Sequence, residues 1–553
     1  MCSILRTYTL LVNPILRGDR DKDDIRTHEQ NTGSDEEYAS EATINSQQVA
    51  SLSTKKALWA YLILCFSTGP TSSMAFNYVS AAIQSAANTV GHQPGSDKPC
   101  ARRGHIKCLV KFGAGEIDYV SYVYAFHRNL WGSATDQTRL YLRSIGRAME
   151  GVVTIMTAGV ADYSRYRKTM MLCSILLFGA LALPFAGLTK ADYSHLNALA
   201  TLYCLLTTVQ GVYTVIEASY IPIFMRSVGG LHSASPAADP DTKRTWKKGF
   251  TVSVLALVAS NVGGIVSLLI GIILVYGIGS YAQVGYFSYL LAITIAGCIT
   301  IVFATIGQFM LPSVPGQERP KGQNLLLLAV KGWIRMIGSA RQYPEAFKFC
   351  IGWILWNTGY SNFLGLTQSL FLEVTGIARG SGVYHVWSFT NVIFACMGSL
   401  SFLFLYPHVR VPIKSWAYFF LSVNFLCVLW GCIGISNHVT IGYKHAAEFW
   451  VEQVLFMSTS SALRSYNRTV FASLIPCGSE AQFFGLEITL DLATGWINPL
   501  VQGVIQDHTH NLRFPMIPNV LLIFLAGLLY IWVDIPKGIE DAKVPLSEAR
   551  AGN

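Results

Sequence analysis

The sequence predicts an all-α polytopic membrane protein with about 12 transmembrane helices, and three observations point there. About a dozen apolar windows of roughly 20 residues, the length that crosses a bilayer, run from residue 57 to residue 534. Charged residues make up 13% of the 553, where soluble domains carry about 25%, and the mean hydropathy is +0.39. Several windows hold ionisable residues near their middles, where a charge costs roughly 2.5 to 3.5 kcal/mol to insert and is seldom kept without a pathway to serve.

Residues 1–56 are mostly polar, with acid-rich runs at 19–24 and 35–41 and no charged-then-apolar signal pattern, which predicts a disordered cytosolic tail. The first span, near Ala57, then acts as the insertion signal. Six spans fall near 57–87, 140–161, 169–188, 195–225, 249–276 and 284–311, and six more near 345–373, 382–406, 414–435, 446–472, 481–506 and 513–534. Between the sixes, Pro312, Pro315 and Pro320 open a segment that continues through Leu325, Leu328, Lys331, Trp333, Arg335 and Ile337. Apolar and basic residues alternating at helical spacing suit a helix on a membrane surface.

Two equal halves joined by a long loop match the major facilitator-type fold, in which two six-helix bundles hold substrate between them near the midplane. The chain divides into the tail 1–56, an N-terminal six-helix bundle 57–311 with a lumenal loop 88–139, a cytosolic linker 312–344 with its interfacial helix, a C-terminal six-helix bundle 345–534 and a cytosolic C-terminal tail 535–553. Basic residues set the orientation. Arg165, Arg167 and Lys168 follow span two, Lys243, Arg244, Lys247 and Lys248 follow span four, and Arg319, Lys321, Lys331 and Arg335 follow span six. Both termini should therefore face the cytosol, and the basic residues of the long first loop do not alter this, because long translocated segments obey the rule poorly.

The net charge of +9 is spread over these short loops rather than gathered in one patch, so nucleic acid is not a predicted partner. A G-x-S-x-G elbow, a nucleotide-binding P-loop and metal-ligand spacing among the 12 histidines are all missing, which argues against an enzyme, a metal or a cofactor. Ten of the 12 cysteines read as small buried hydrophobes or belong to the tail; Cys100 and Cys108 lie in the first loop, where an oxidising lumen would let them pair.

Along the chain, Gly69-Pro70 interrupts span one, and a helix break at that depth borders a cavity or is a simple kink. In span two Arg147 and Glu150 share a helical face and can pair. After it, Gly159, Asp162, Arg167 and Lys168 form a gate-like signature: a glycine for close helix contact, an acid that pairs or caps, and a basic pair. Span four carries Gln210 and Glu217, and span seven Asn357, Tyr360 and Asn362; in the facilitator arrangement these face one another, as a pathway or as interhelical hydrogen bonds. Arg464 and Arg468 in span ten and Glu487 and Asp491 in span eleven each repeat at i, i+4, so adjacent helices present complementary charge, either as a packing network or as part of transport.

Several stretches carry a resemblance. The segment Gly159-Val-Ala-Asp162 through Arg167-Lys168, the run Arg464-Ser-Tyr-Asn-Arg468 with Leu474-Ile-Pro476, and Glu480-Ala-Gln-Phe483-Phe484-Gly485-Leu486 through Asp491, Trp496 and Pro499 resemble the fungal autophagy-related protein 22 family. Gly69-Pro70-Thr71-Ser72-Ser73 and Lys111 through Tyr119 extend the likeness over most of the membrane region. Many relatives have a lysine where this chain has Leu492, and an acid where it has Ser473, so an ion pair that uses that lysine is absent. Residues 123–139 match nothing in the family pattern, as an insertion or a gene-model artefact would.

The resemblance implies a multi-pass carrier of the vacuole membrane that exports amino acids, neutral ones such as leucine, from the lumen to the cytosol after autophagic degradation. Alternating access, with or without proton coupling, would be the mechanism, with the lipid bilayer and a small solute as partners; oligomeric state is left open. The alternatives are a scaffold or receptor in autophagic-body breakdown and a facilitator of another solute such as a sugar.

Overall fold

The computed structural model describes residues 55–79, 82–83, 86, 90–92, 109–112, 115–118, 142–162, 167–190, 192–227, 240–278, 287–313, 324–377, 382–436, 438–476, 478–494, 497, 501–502, 505, 508–509 and 511–543. All of them belong to one compact unit. The N-terminal tail, Cys100, Cys108, Trp496, Pro499 and the segment 123–139 lie outside the described residues.

In chain order the helices of the first half are α1 (Lys55–Met74, continued by a π turn at Ala75–Val79), α2 (Leu142–Asp162), α3 (Arg167–Ala182), α4 (Tyr193–Arg226), α5 (Pro240–Ile278) and α6 (Phe287–Met310). The linker forms α7 (Leu325–Gly338). The second half is α8 (Pro344–Thr375), α9 (Gly382–Leu405), α10 (Ile413–Ile433), α11 (Ala446–Glu452) joined through a π turn at Gln453–Met457 to α12 (Ser458–Leu474), α13 (Glu480–Thr494), α14 (Met516–Trp532) and α15 (Ile535–Asp541). The loop after α1 contributes two short antiparallel strands, β1 (Leu109–Phe112) and β2 (Gly115–Asp118), whose register sets Lys111 opposite Glu116.

Local sequence explains where several helices begin and end. Asp192 caps α4 by accepting the His195 amide at 2.7 Å, and that amide together with the imidazole holds the Asp192 carboxyl below the usual carboxylate range. Pro344 opens α8, and Gly376, at a φ of +65°, closes it in the left-handed region that glycine favours.

Among the described residues six helices are long and apolar enough to cross a membrane by themselves, and the bent pair α14 and α15, at 67°, makes up to seven. The other spans are shorter or carry polar groups on faces that the bundles cover, as with Arg468, Asn467 and Thr469 of α12, all buried. Outward faces are apolar: Phe309 is 84% exposed, and Ile273, Ile531 and Trp532 are exposed with it. Residues 535–541, expected as tail, form α15 instead, because Asp534 caps its first turn and Gly538 lets it pack on Leu474 and Glu345.

Helix α1 lies between α5 and α6, α2 packs on α4, and α3 on α4 and α6; in the second half α14 packs on α8 and α10, and α12 on α9 and α10. The halves meet through two long seams, α2 on α13 and α5 on α9, with α4 reaching α12 and α13. The linker helix α7 sits across the first seam. Its Trp333 donates to the Ile155 carbonyl of α2 at 2.9 Å, while a Cβ on Gly485 of α13 would lie 3.3 Å from the same indole.

The predicted break at Gly69-Pro70 is absent: α1 runs through both residues, and its regular geometry changes only at Ala75. Pro70 removes the N–H that would bond the Phe66 carbonyl, and Gly263 of α5 lies directly against that carbonyl. A Cβ on Gly263 would lie 2.8 Å from Pro70 Cδ, and one on Gly69 would lie 2.9 Å from the Gly264 amide nitrogen. Ser267 closes the contact by donating to the Pro70 carbonyl at 3.3 Å. The glycines thus set a close helix crossing where the hydrogen bond is lost, and α1 continues through Pro70.

Gly263→Val should therefore separate α1 from α5 at an overpacking cost of about 1–3 kcal/mol. The check is a thermal unfolding midpoint in detergent several degrees below that of the unaltered protein.

Candidate functional site

At the end of the bundles that carries α7, the linker face, one buried carboxylate ties the halves together. Asp162, the last residue of α2, accepts the backbone N–H groups of Ala481 at 2.9 Å and Gln482 at 2.7 Å, which are unpaired donors in the first turn of α13. It thereby caps a helix of the opposite bundle and meets the positive end of its dipole. Arg167 pairs with Asp162 at 3.1 Å and with Glu480 at 3.6 Å, and all three side chains are buried. Glu480 also binds Arg226, the basic residue in the last turn of α4, whose guanidinium reaches the Ile475 carbonyl at 3.4 Å.

Of the four residues read as a gate, Asp162 and Arg167 belong to this network and two do not. Lys168 turns toward its own bundle and donates to the Leu311 carbonyl past the end of α6. Gly159 faces α7, where a Cβ would come 2.8 Å from Ala329 Cα, so its smallness serves the linker. Glu480 and Arg226 complete the network and were not singled out. The signal for Glu480 was present, an acid in the first turn of a helix, whereas Arg226 looked like an ordinary basic residue at a helix end.

Deeper in, Glu217 of α4 and Arg468 of α12 form a buried ion pair across the halves at 3.5 Å. Tyr61 of α1 steadies this part of α4 by donating to the Glu217 carbonyl at 3.0 Å. One turn before Arg468, Arg464 donates to Asn357 Oδ1 at 3.3 Å and lies 5.1 Å over the Tyr360 ring, both on α8. Glu487 and Asp491 of α13 complete the charged centre, with Glu487 buried and within electrostatic reach of Asp491, Arg468 and Arg464.

The expected pairing of α12 bases with α13 acids is therefore different in detail. Arg468 makes its contact with the opposite bundle, since Glu217 projects from α4 at the level where α12 crosses it. Gln210 bonds Ser72 of α1 at 3.2 Å, and Glu150 is buried against Gly211 of α4. The Arg147 side chain lies outside the described residues, and with it the expected Arg147–Glu150 pair. Asn362 is partly exposed on α8 and makes no hydrogen bond to the charged centre among the described residues.

A further polar hub was not legible. Asn424, wholly buried in the apolar α10, accepts from Trp356 Nε1 at 3.1 Å and Ser460 at 2.7 Å and donates to Thr459 at 2.8 Å, joining α8, α10 and α12. No group of three or more metal-ligating side chains occurs among the described residues.

Two helical bundles joined at one face by a shared acid-base network, with opposite charges held between them, make up a major facilitator-type fold. Solved transporters share this fold: the proton:xylose symporter XylE superposes with a TM-score of 0.55 over 86% of this chain and 95% of that one, at 10% identity. A bacterial homologue of the iron transporter ferroportin gives 0.54 over 86% and 98%, at 11% identity. The family model described as "Vacuole effluxer Atg22 like" matches residues 53–543, and the chain belongs to that family. It is 41% identical to Autophagy-related protein 22 of Candida albicans over 90% of this chain and 93% of the relative. Its counterpart in Saccharomyces cerevisiae is 22% identical over 75% and 82%.

Asp162→Ala removes two hydrogen bonds made by a charged acceptor, each worth about 1.5–3 kcal/mol. Hydrogen exchange at the Ala481 and Gln482 amides should then accelerate at least about tenfold while amides of α10 keep their protection.

Proposed function

We propose that this chain sits in the vacuole membrane and exports neutral amino acids, leucine among them, from the lumen to the cytosol. The description of the family, vacuole effluxer, supports the membrane and the direction. The observation that carries the substrate class is the interbundle centre, where Arg464 and Arg468 lie among Glu217, Glu487 and Asp491. A zwitterion needs both signs of charge within a few ångströms of each other. Arg464, steadied by an amide and an aromatic face, suits the substrate carboxylate; Glu487 and Asp491 suit its ammonium group.

In this reading the bundles 57–311 and 345–534 rock about the centre, the linker 312–344 straps them, and the linker face is cytosolic, as the basic loops require. With Asp162 capping α13, the pathway is shut on the cytosolic side and awaits substrate from the lumen. Opening there must break the contacts of Asp162 and Glu480 with the partner bundle. Separating Glu217 from Arg468 would leave a buried charge uncompensated, at about 3–5 kcal/mol. A zwitterion seated on Arg464 and on Glu487 or Asp491 brings charge of both signs beside that pair and so lowers the barrier.

The test is release of labelled leucine from sealed vacuole vesicles. Protein-dependent release that competing neutral amino acids suppress is the expected result, with Arg464→Gln raising the half-saturating concentration about tenfold or more, the loss of one charge-assisted contact. No protein-dependent flux of any amino acid, in vesicles shown to hold folded protein, overturns the reading. Arg468→Ala should lower the unfolding midpoint more than the double change Glu217→Leu with Arg468→Met, because only the single change strands a buried charge; calorimetry of the three purified proteins checks the order.

A further inference from the structure

Span ten contains two glutamates one helical turn apart that live in opposite circumstances. Glu448, in the first turn of α11, is fully engaged: it accepts from Trp430 Nε1 and from the backbone amides of Gly442, Tyr443, Lys444 and His445, at 2.7–3.1 Å. Glu452 ends α11 about 9 Å along the helix from Ala446 and is 4% exposed. Its Oε1 has no hydrogen-bond partner among the described residues, and no basic side chain there approaches it.

The titratable groups within electrostatic reach of Glu452 are Tyr360 of α8, Cys427 of α10 and Tyr443 of the connection before α11, whose hydroxyl donates to the Cys427 carbonyl at 2.9 Å. On its other side α9 meets the neighbouring Gln453, through the Trp387 carbonyl at 3.1 Å and the Thr390 hydroxyl at 2.9 Å, and presents no acid or base to Glu452 among the described residues. A carboxylate walled in by neutral groups has no counter-charge, and the cost of leaving it so is several kcal/mol. The neutral acid is free of that cost. The backbone is irregular at the same point: Glu452 is the last α residue before the π turn Gln453–Met457, a feature frequent at functional sites in helices.

We propose that Glu452 is a proton-binding site of the transport cycle, loaded from the lumenal side and coupled to the substrate position through Tyr360. Tyr360 is the shared neighbour: its ring stacks on Phe456 within the π turn, with centroids 5.7 Å apart, and its face holds the Arg464 guanidinium. Loading the proton and seating a carboxylate on Arg464 therefore act on one side chain. The proposal rests on the transport reading of that centre, but not on which solute is carried.

The test uses the full-length protein in membranes and the apolar carbodiimide dicyclohexylcarbodiimide, which adds to protonated carboxyl groups buried in bilayers. Peptide mapping should find the adduct on Glu452 at acidic pH and its loss at alkaline pH. Glu452→Gln should carry substrate at a rate that no longer changes with the pH gradient. Absence of an adduct on Glu452, under conditions that label other buried acids, overturns the proposal, as does a Glu452→Gln protein that keeps its gradient dependence. Labelling needs no substrate and no variant, so it reads Glu452 even if leucine proves to be the wrong solute.

Discussion

The first amides of α13 have no partners within their own helix, and they are buried. The molecule answers with Asp162 from the other bundle. That one carboxylate satisfies two donors, sits at the positive end of a helix dipole and recruits Arg167, which in turn meets Glu480 and through it Arg226. Four elements of two bundles are thus fixed by a single helix end. The arrangement joins the two bundles at this face through polar contacts, beside the apolar contact of Trp333 with Gly485.

The charged centre follows a different rule. Glu217 and Arg468 are held by burial and by each other, with little additional hydrogen bonding, and the pair is long at 3.5 Å. A pair of that kind contributes little net stability and is sensitive to any group of either sign that enters beside it. Arg464, held by the neutral Asn357 and Tyr360, keeps its charge uncancelled at close range. The Asp162 network is thus built from several short polar contacts and the centre from fewer and longer ones.

Much of this fold was legible in the sequence because a bilayer imposes its length on every span. Window length and loop charge located α3 to α6, α9 and α10 without help from tertiary contacts. What the sequence concealed was relational. Lys168 and Asp162 look alike as members of a gate-like motif, yet one faces its own bundle and the other crosses the seam, a difference set by where α6 and α13 end. Asn424 sits in an apolar run that gives no sign of its partners on α8 and α12. Pro70 read as a break, since its proline is local information and the glycine of α5 that covers the freed carbonyl is nearly 200 residues away.

The indole of Trp333 bridges the α2/α13 seam, hydrogen-bonded to a carbonyl on one side and lying against Gly485 on the other. In the proposed cycle the linker face opens and those two surfaces part, so that the ring can follow only one of them. Its surroundings then pass from protein interior to water or headgroups on one side. The chain therefore carries the site of an optical probe: in a variant that keeps Trp333 and replaces the other 11 tryptophans of the sequence, its emission would report whether the seam is joined.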